Sequence, residues 1–248
     1  MLIDTHCHIH DSDYAISADD VLAHAKACGV QKMITIGTTP ANSQEAREFA
    51  KQHEPVWWTF GYHPSEYDGD AQRLEAELTA AKAELADNKL IGIGEIGLDY
   101  HTEPFSRTQQ ITLLEHMLQL AQDYRLPVSF HVRDAFDDFW PILDNFHLVP
   151  SVMHSFSDNE QNLAESLARG FYVGVNGLST FATIPHPPLS RAVFETDAPY
   201  LTPKPFRGKI NEPSHVRNIA EWAAQYYQVD YAEVQNITTQ NAQTVYKI

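Results

Sequence analysis

Eight short apolar stretches recur along the chain, each followed by a more polar segment. They read LIDTHCH (2–8), KMITIG (32–37), VWWTFGYHP (56–64), LIGIGEIGLD (90–99), PVSFHVRD (127–134), SVMHSF (151–156), FYVGVN (171–176) and AVFETDAP (192–199). The segments between them step at helical intervals. Within 106–125, for instance, Ile111, Leu114, Leu118 and Ala121 fall three or four residues apart. Strands alternating with helices predict a parallel sheet with right-handed crossovers. Eight such units in 248 residues predict a closed (β/α)8 TIM barrel, with residues 1–248 as a single domain. An open doubly wound sheet is the alternative, but no Gly-rich phosphate loop follows the first stretch. Pro213 to Ile248 reads as one or two closing helices.

The polar residues inside this pattern carry the chemistry. His6, His8 and His10 occupy alternate positions directly after an apolar start. Strict alternation predicts Asp4, His6 and His8 on one face, with Ile3, Cys7 and Ile9 on the other. The same rule points Ile91, Ile93 and Glu95 inward and leaves Gly92 and Gly94 towards the helices. His8, His63, Glu95, His131, His154, Asn176 and Asp197 each fall at or just beyond the end of a different stretch. Barrel active sites are built at that end of the strands. Asp and His within a covered strand must be paired or bound, and neutral imidazole is the commonest metal ligand. His6, His8, Glu95, His131, His154 and Asp197 make six N and O donors, more than one closed tetrahedral zinc site takes. They suit two divalent cations bridged by a carboxylate.

Composition narrows the function. With 33 acidic and 17 basic residues the formal charge is −16, which excludes a protein that coats long nucleic acid by counterion release. It does not exclude an enzyme drawing one strand end into a cation-charged pocket. Of 13 histidines, His24, His53, His116 and His147 read as surface residues. Two cysteines point to a reduced compartment, and neither a long apolar run nor a signal-like start is present, so the expected address is cytoplasmic, without membrane attachment.

Taken in order, DTHCH (4–8), GYHP (61–64), GEIGLDY (94–100), LPVSFHVRDA (126–135), HSFS (154–157), NGLSTF (176–181), ETDAPYLTP (195–203) and RGKINEP (207–213) resemble the TatD family of metal-dependent hydrolases, within the wider amidohydrolase-like barrels. The resemblance implies a deoxyribonuclease that acts near single-stranded DNA ends through a water activated by two metal ions. It implies that His6, His8, Glu95 and Asp197 hold one ion and that Glu95, His131 and His154 hold the other. Glu95 then bridges, and Asp197 also serves as the base. His63 is expected to contact the scissile phosphate, with Arg133 and Arg207 as further phosphate partners. The ions could be Mg2+, Mn2+ or Zn2+. DNA or an oligonucleotide is the expected partner, and no obligate protein partner is implied.

The chain departs from the family pattern in three places. His10 stands where the family usually has Asp, and is expected at the rim. Asp158 replaces a usual Gly and is expected to add negative charge on the phosphate side. The connection from Phe181 to Glu195 is short and proline-rich, which predicts that strands seven and eight are joined without a full helix. An amidohydrolase or deacylase, using the same metal-bound hydroxide on a carbonyl, is the competing enzyme. Glu95 favours the phosphodiesterase, since many amidase relatives bridge their metals with a carboxylated lysine. A metal-binding protein without turnover is the third reading.

Overall fold

The computed structural model describes all 248 residues. Eight parallel strands form one sheet in the order of the chain: β1 (Leu2–Cys7), β2 (Val30–Ile36), β3 (Val56–Phe60), β4 (Leu90–Asp99), β5 (Val128–Arg133), β6 (Val152–Met153), β7 (Tyr172–Val175) and β8 (Ala192–Phe194). The edges meet just past β8. The amide of Asp197 donates to the His6 carbonyl, and that of His8 to the Ala198 carbonyl, each at 2.8 Å. The sheet is thus a nearly closed (β/α)8 barrel.

The helices are α1 (Ala18–Ala27), α2 (Pro40–Gln52), α3 (Ala71–Ala81), α4 (Arg107–Tyr124), α5 (Phe136–Leu143), α6 (Glu160–Ala168), α7 (Val216–Tyr227) and α8 (Tyr231–Tyr246). Their starts follow from local chemistry. Ser17, Thr39, Asp70, Ser106 and Asn159 each cap a helix by accepting a hydrogen bond from an amide in its first turn. Between β7 and β8 only two single turns of 3-10 helix occur, at Gly177–Thr180 and Leu189–Arg191, so the missing crossover helix is as expected. The expected closing helices are α7 and α8. No helix is long and apolar enough to cross a membrane.

Apolar packing falls into two clusters. The larger lies between strands and helices and includes Trp58, Phe60, Ile93, Phe130 and Leu114. The smaller fills the barrel floor with Ile3, Ile34, Ile36, Ile91 and Val193, closed by Val245 and Tyr246 of α8. Each fully buried side chain of this size contributes about 1.5–3 kcal/mol relative to leaving it exposed.

Strict alternation fails in two strands. Ile3 belongs to the inner cluster, whereas Cys7 and Ile9 belong to the outer one. The register slips between Asp4 and Cys7, so the expected common face of Asp4, His6 and His8 is broken. Asp4 turns instead to Thr196, accepting from its amide at 2.9 Å and its hydroxyl at 2.6 Å. Burial pushes the Asp4 carboxyl up to about 8 despite these bonds. In β4 the register slips against β3 between Leu90 and Gly92, and against β5 between Ile93 and Ile96. After the first slip Ile93 packs outward and Gly94 faces inward, where a Cβ would come within 2.7 Å of the Ser129 side chain. The inward position of Glu95 comes from the second. The expectation that Gly92 and Gly94 face the helices is wrong. Gly92 lies against Thr59 and Tyr246, the latter a residue of the barrel floor.

Candidate active site and metal centre

The strand ends deliver the expected residues to one mouth. A cavity of about 610 Å³ opens there, lined by His8, His63, Glu95, His131, His154 and Asp197, among others. His8, His63, His154 and Asp197 follow their strands, while Glu95 and His131 lie within β4 and β5. These two strands run on past the site, pairing Leu98 with Val132 and Asp99 with Arg133.

Glu95 is the hub. Its Oε2 lies 3.5 Å from His6 Nε2 and 4.0 Å from His8 Nε2. Its Oε1 lies 2.8 Å from His131 Nδ1, 3.8 Å from His154 Nε2 and 3.9 Å from His63 Nε2. Asp197 Oδ1 lies 3.5–3.7 Å from the Nε2 atoms of His8, His6 and His154. His6 and His8 themselves approach to 3.3 Å through Nε2. Donors around a tetrahedral ion with ordinary Zn–N and Zn–O bonds stand roughly 3.4 Å apart, so His6, His8, Glu95 and Asp197 have the spacing of a ligand set. Three clusters emerge: His6, His8 and Asp197; His6, Glu95 and His154; and His63, Glu95 and His131. His154 thus clusters with His6, on whose ring it stacks at 3.4 Å, more closely than with His131.

Behind these donors stands a layer that sequence reasoning missed. Asp99 Oδ2 lies 2.9 Å from His131 Nε2, and Glu195 Oε1 lies 3.0 Å from His154 Nδ1. The Ser129 hydroxyl faces His6 Nδ1 at 3.2 Å, and the Ile36 carbonyl faces His8 Nδ1 at 3.2 Å. The partners of His131, His6 and His8 each hold one ring nitrogen by a hydrogen bond, as outer partners of metal-ligating histidines do. Glu195 faces His154 Nδ1 as an ion-pair partner without hydrogen-bond alignment. The available signal was charge: Asp99 and Glu195 are acids within apolar stretches and need partners once buried. Asn176, which the sequence did single out at a strand end, stands in this layer and not on the cavity, 2.9 Å from Ser155 Oγ and 3.4 Å from Glu195 Oε1.

The electrostatics follow from the same contacts. Burial disfavours charge throughout, yet hydrogen bonds to Asp99 and Glu95 raise His131 to about 9. Against the same burial, Glu195, Glu95 and Asp197 raise His154 to about 10. Burial also opposes ionisation of Glu95 and Asp197, but the surrounding imidazoles, His154 foremost, hold both below their usual range. His63 differs. Burial lowers it to about 4, more than Glu95 can offset, and its ring is neutral at ordinary pH.

Other expected residues lie elsewhere. Arg133 is exposed and lines the cavity. Arg207 is not among the lining residues: its guanidinium sits 3.8 Å over the Phe181 ring and donates to the Thr202 carbonyl. Asp158 accepts from the Asn159 amide and the Asn162 side chain, each at 2.7 Å, so it is spent at the start of α6 and does not line the cavity. His10 is buried, not at the rim, with 8% of its surface exposed. The chain turns after β1 and tucks the ring against Thr35 Oγ1 at 2.6 Å. Asp11, next to it, does reach the cavity, held by the Asn42 amide at 2.8 Å.

A parallel barrel whose C-terminal mouth gathers histidines and carboxylates at ligand spacing defines the class of a metal-dependent hydrolase acting on ester bonds. Known proteins agree. The family model for TatD related DNase matches residues 3–247. The uncharacterized metal-dependent hydrolase YabD of Bacillus subtilis is 32% identical over 257 residues, covering 100% of each chain. A Cronobacter sakazakii protein named 3'-5' ssDNA/RNA exonuclease TatD is 33% identical, over 97% of this chain and 96% of that one. Among solved structures, the TatD homologue YJJV of Escherichia coli superposes with a TM-score of 0.92 at 28% identity, covering 100% of this chain and 98% of the other. The chain belongs to the TatD family.

Proposed function

We propose that residues 1–248 act as one two-metal phosphodiesterase domain that removes nucleotides from the ends of single-stranded DNA. The observation that carries this reading is the division of Glu95, with Oε2 turned to His6 and His8 and Oε1 to His131, His154 and His63. His6, His8, Glu95 and Asp197 would hold one cation, and Glu95, His131 and His154 the second. Mg2+, Mn2+ and Zn2+ are all compatible with this mixed donor set. Such a pair supplies polarisation of a phosphoryl oxygen, activation of water and stabilisation of the leaving oxygen.

The protein's own groups do the rest. Asp197, its carboxylate kept ionised and partly open to the cavity, accepts a proton from the attacking water at a carboxylate oxygen. His63 donates a hydrogen bond to a phosphoryl oxygen. Ser65 holds Nδ1 through its hydroxyl at 2.7 Å and its amide at 3.3 Å, which turns Nε2 to the cavity. Arg133 at the rim is placed for a neighbouring phosphate.

Metal-loaded protein incubated with end-labelled single-stranded DNA tests the reading. Stepwise release of mononucleotides is expected, with a circular single strand resistant. A ladder beginning at internal sites would remove the end-directed mode. Hydrolysis of acyl or amide substrates without any action on DNA would replace the phosphodiesterase by an amidohydrolase.

A further inference from the structure

The short connection between β7 and β8 leaves a second concavity beside the candidate site. One wall is α6, through Asn159, Glu160, Leu163 and Leu167, and the other is Thr183–His186 together with Tyr226 of α7. The two concavities share a wall: Ile184 lines both the groove and the cavity holding Glu95 and Asp197.

The groove ends on an organised aromatic cluster. The His186 ring lies 4.8 Å from both Trp222 and Tyr226, and Trp222 and Tyr226 stack at 5.0 Å with 21° between their planes. The Tyr227 hydroxyl donates to the Pro187 carbonyl at 2.6 Å, pinning the proline-rich segment against α7. Burial lowers the His186 pKa, so its ring packs uncharged. Tyr226 nonetheless leaves 52% of its surface open. A ring held by His186, Trp222 and Tyr227, half open, in a groove that shares a wall with a reaction cavity has the features of a stacking platform. No Lys or Arg lines the groove, and Glu160 does, so a phosphate gains nothing there while the flat face of a base does.

We propose that this groove is a nucleobase subsite: a base of the strand beyond the nucleotide being cleaved crosses Ile184 and stacks on the Tyr226–His186–Trp222 cluster. The inference rests on the phosphodiesterase reading for its substrate, but its experiment separates the two. Stacking is sequence-tolerant, so the subsite lengthens the preferred substrate without selecting its sequence.

The test compares wild type, Tyr226→Ala and Tyr226→Phe on bis(p-nitrophenyl) phosphate, a dinucleotide and an eight-nucleotide DNA strand. Tyr226→Ala should leave the two short substrates unchanged and raise KM for the long strand roughly tenfold, the worth of one lost base stack, while Tyr226→Phe stays near wild type. Equilibrium binding of a strand carrying 2-aminopurine gives a readout independent of turnover. Its fluorescence should be quenched on wild type at one internal position and not on Tyr226→Ala. If Tyr226→Ala shows the wild-type length dependence and the wild-type quench, the subsite does not exist. A wild-type protein that binds and quenches the strand yet cleaves no phosphodiester overturns the reaction assigned to the cavity and leaves the groove standing. Absence of both binding and cleavage overturns both.

Discussion

Gly174 on β7 and Glu195 just after β8 are packed so closely that a Cβ at position 174 would overlap the Glu195 carboxylate. That carboxylate accepts from the Ser155 amide at 2.7 Å and faces His154 Nδ1 at 3.0 Å. Gly174 is therefore the space into which the partner of His154 fits. Gly174→Ala should cost about 1–3 kcal/mol by overpacking. By turning Glu195 away it should also weaken metal binding or activity by roughly 10- to 100-fold, as losses of outer partners do. Thermal unfolding and a metal titration of the same variant check both effects. A variant matching wild type in each would show that the pocket yields without consequence.

The split of Glu95 makes a sharper demand. If its two oxygens serve two cations, Glu95→Gln, similar in size but uncharged, should weaken both. Elemental analysis after gel filtration should then show both ions depleted relative to wild type. One tightly retained ion, with the second alone lost, would mean that the carboxylate serves a single site.

Metal uptake should depend on pH in a defined direction. In the cation-free protein His131 titrates at about 9 and His154 at about 10, because their carboxylate partners outweigh burial. Both rings hold an extra proton at neutral pH and lose it only as pH rises through those values. A cation needs a deprotonated nitrogen on each ring, so affinity should climb from neutral pH towards about 9, with protons released on binding. Calorimetry at neutral pH in two buffers of different ionisation heat counts those protons. No difference in heat between the buffers would contradict the charged state assigned to these rings.

The barrel was legible because apolar stretches and helical steps alternate along the whole chain, and the missing crossover helix was legible from the prolines between Phe181 and Glu195. The residues of the mouth were legible because each is a polar residue set in or just after an apolar stretch, although Glu95 and His131 lie within β4 and β5 and not at their ends. Facing was not. Irregular register at Asp4–Cys7 in β1 and at Leu90–Gly92 and Ile93–Ile96 in β4 overrides period-two alternation; the glycines inside β4 were its local sign, whereas β1 carries none. His10 was misplaced for a related reason: whether a residue past a strand end stays at the rim depends on the turn that follows and on Thr35 from another strand. Asp99 and Glu195 could have been found by asking which buried acids lacked a named partner. Their histidines come from distant segments, which is why spacing alone did not pair them.

Binding and chemistry part company at His63 and Asp197. His63 shares a cluster with Glu95 and His131, so on distance alone it could be a ligand. Its position argues otherwise. Ser65 engages Nδ1 through its hydroxyl at 2.7 Å and its amide at 3.3 Å, and Nε2 stands 3.9 Å from Glu95 Oε1 where His131 stands at 2.8 Å, so His63 is the outermost member of the cluster. With the ring lowered to about 4, it is neutral at neutral pH and keeps one ring proton to donate. His63→Ala should therefore keep wild-type metal content and lose activity, roughly 10²-fold, the scale for one removed electrostatic donor. Asp197→Asn should reduce both, because it removes a charged donor from the His6–His8 cluster and the proton acceptor with it. Metal titration beside single-turnover DNA cleavage separates the cases. A His63→Ala protein that loses a cation would make His63 a ligand, and one that cleaves at the wild-type rate would remove it from the site.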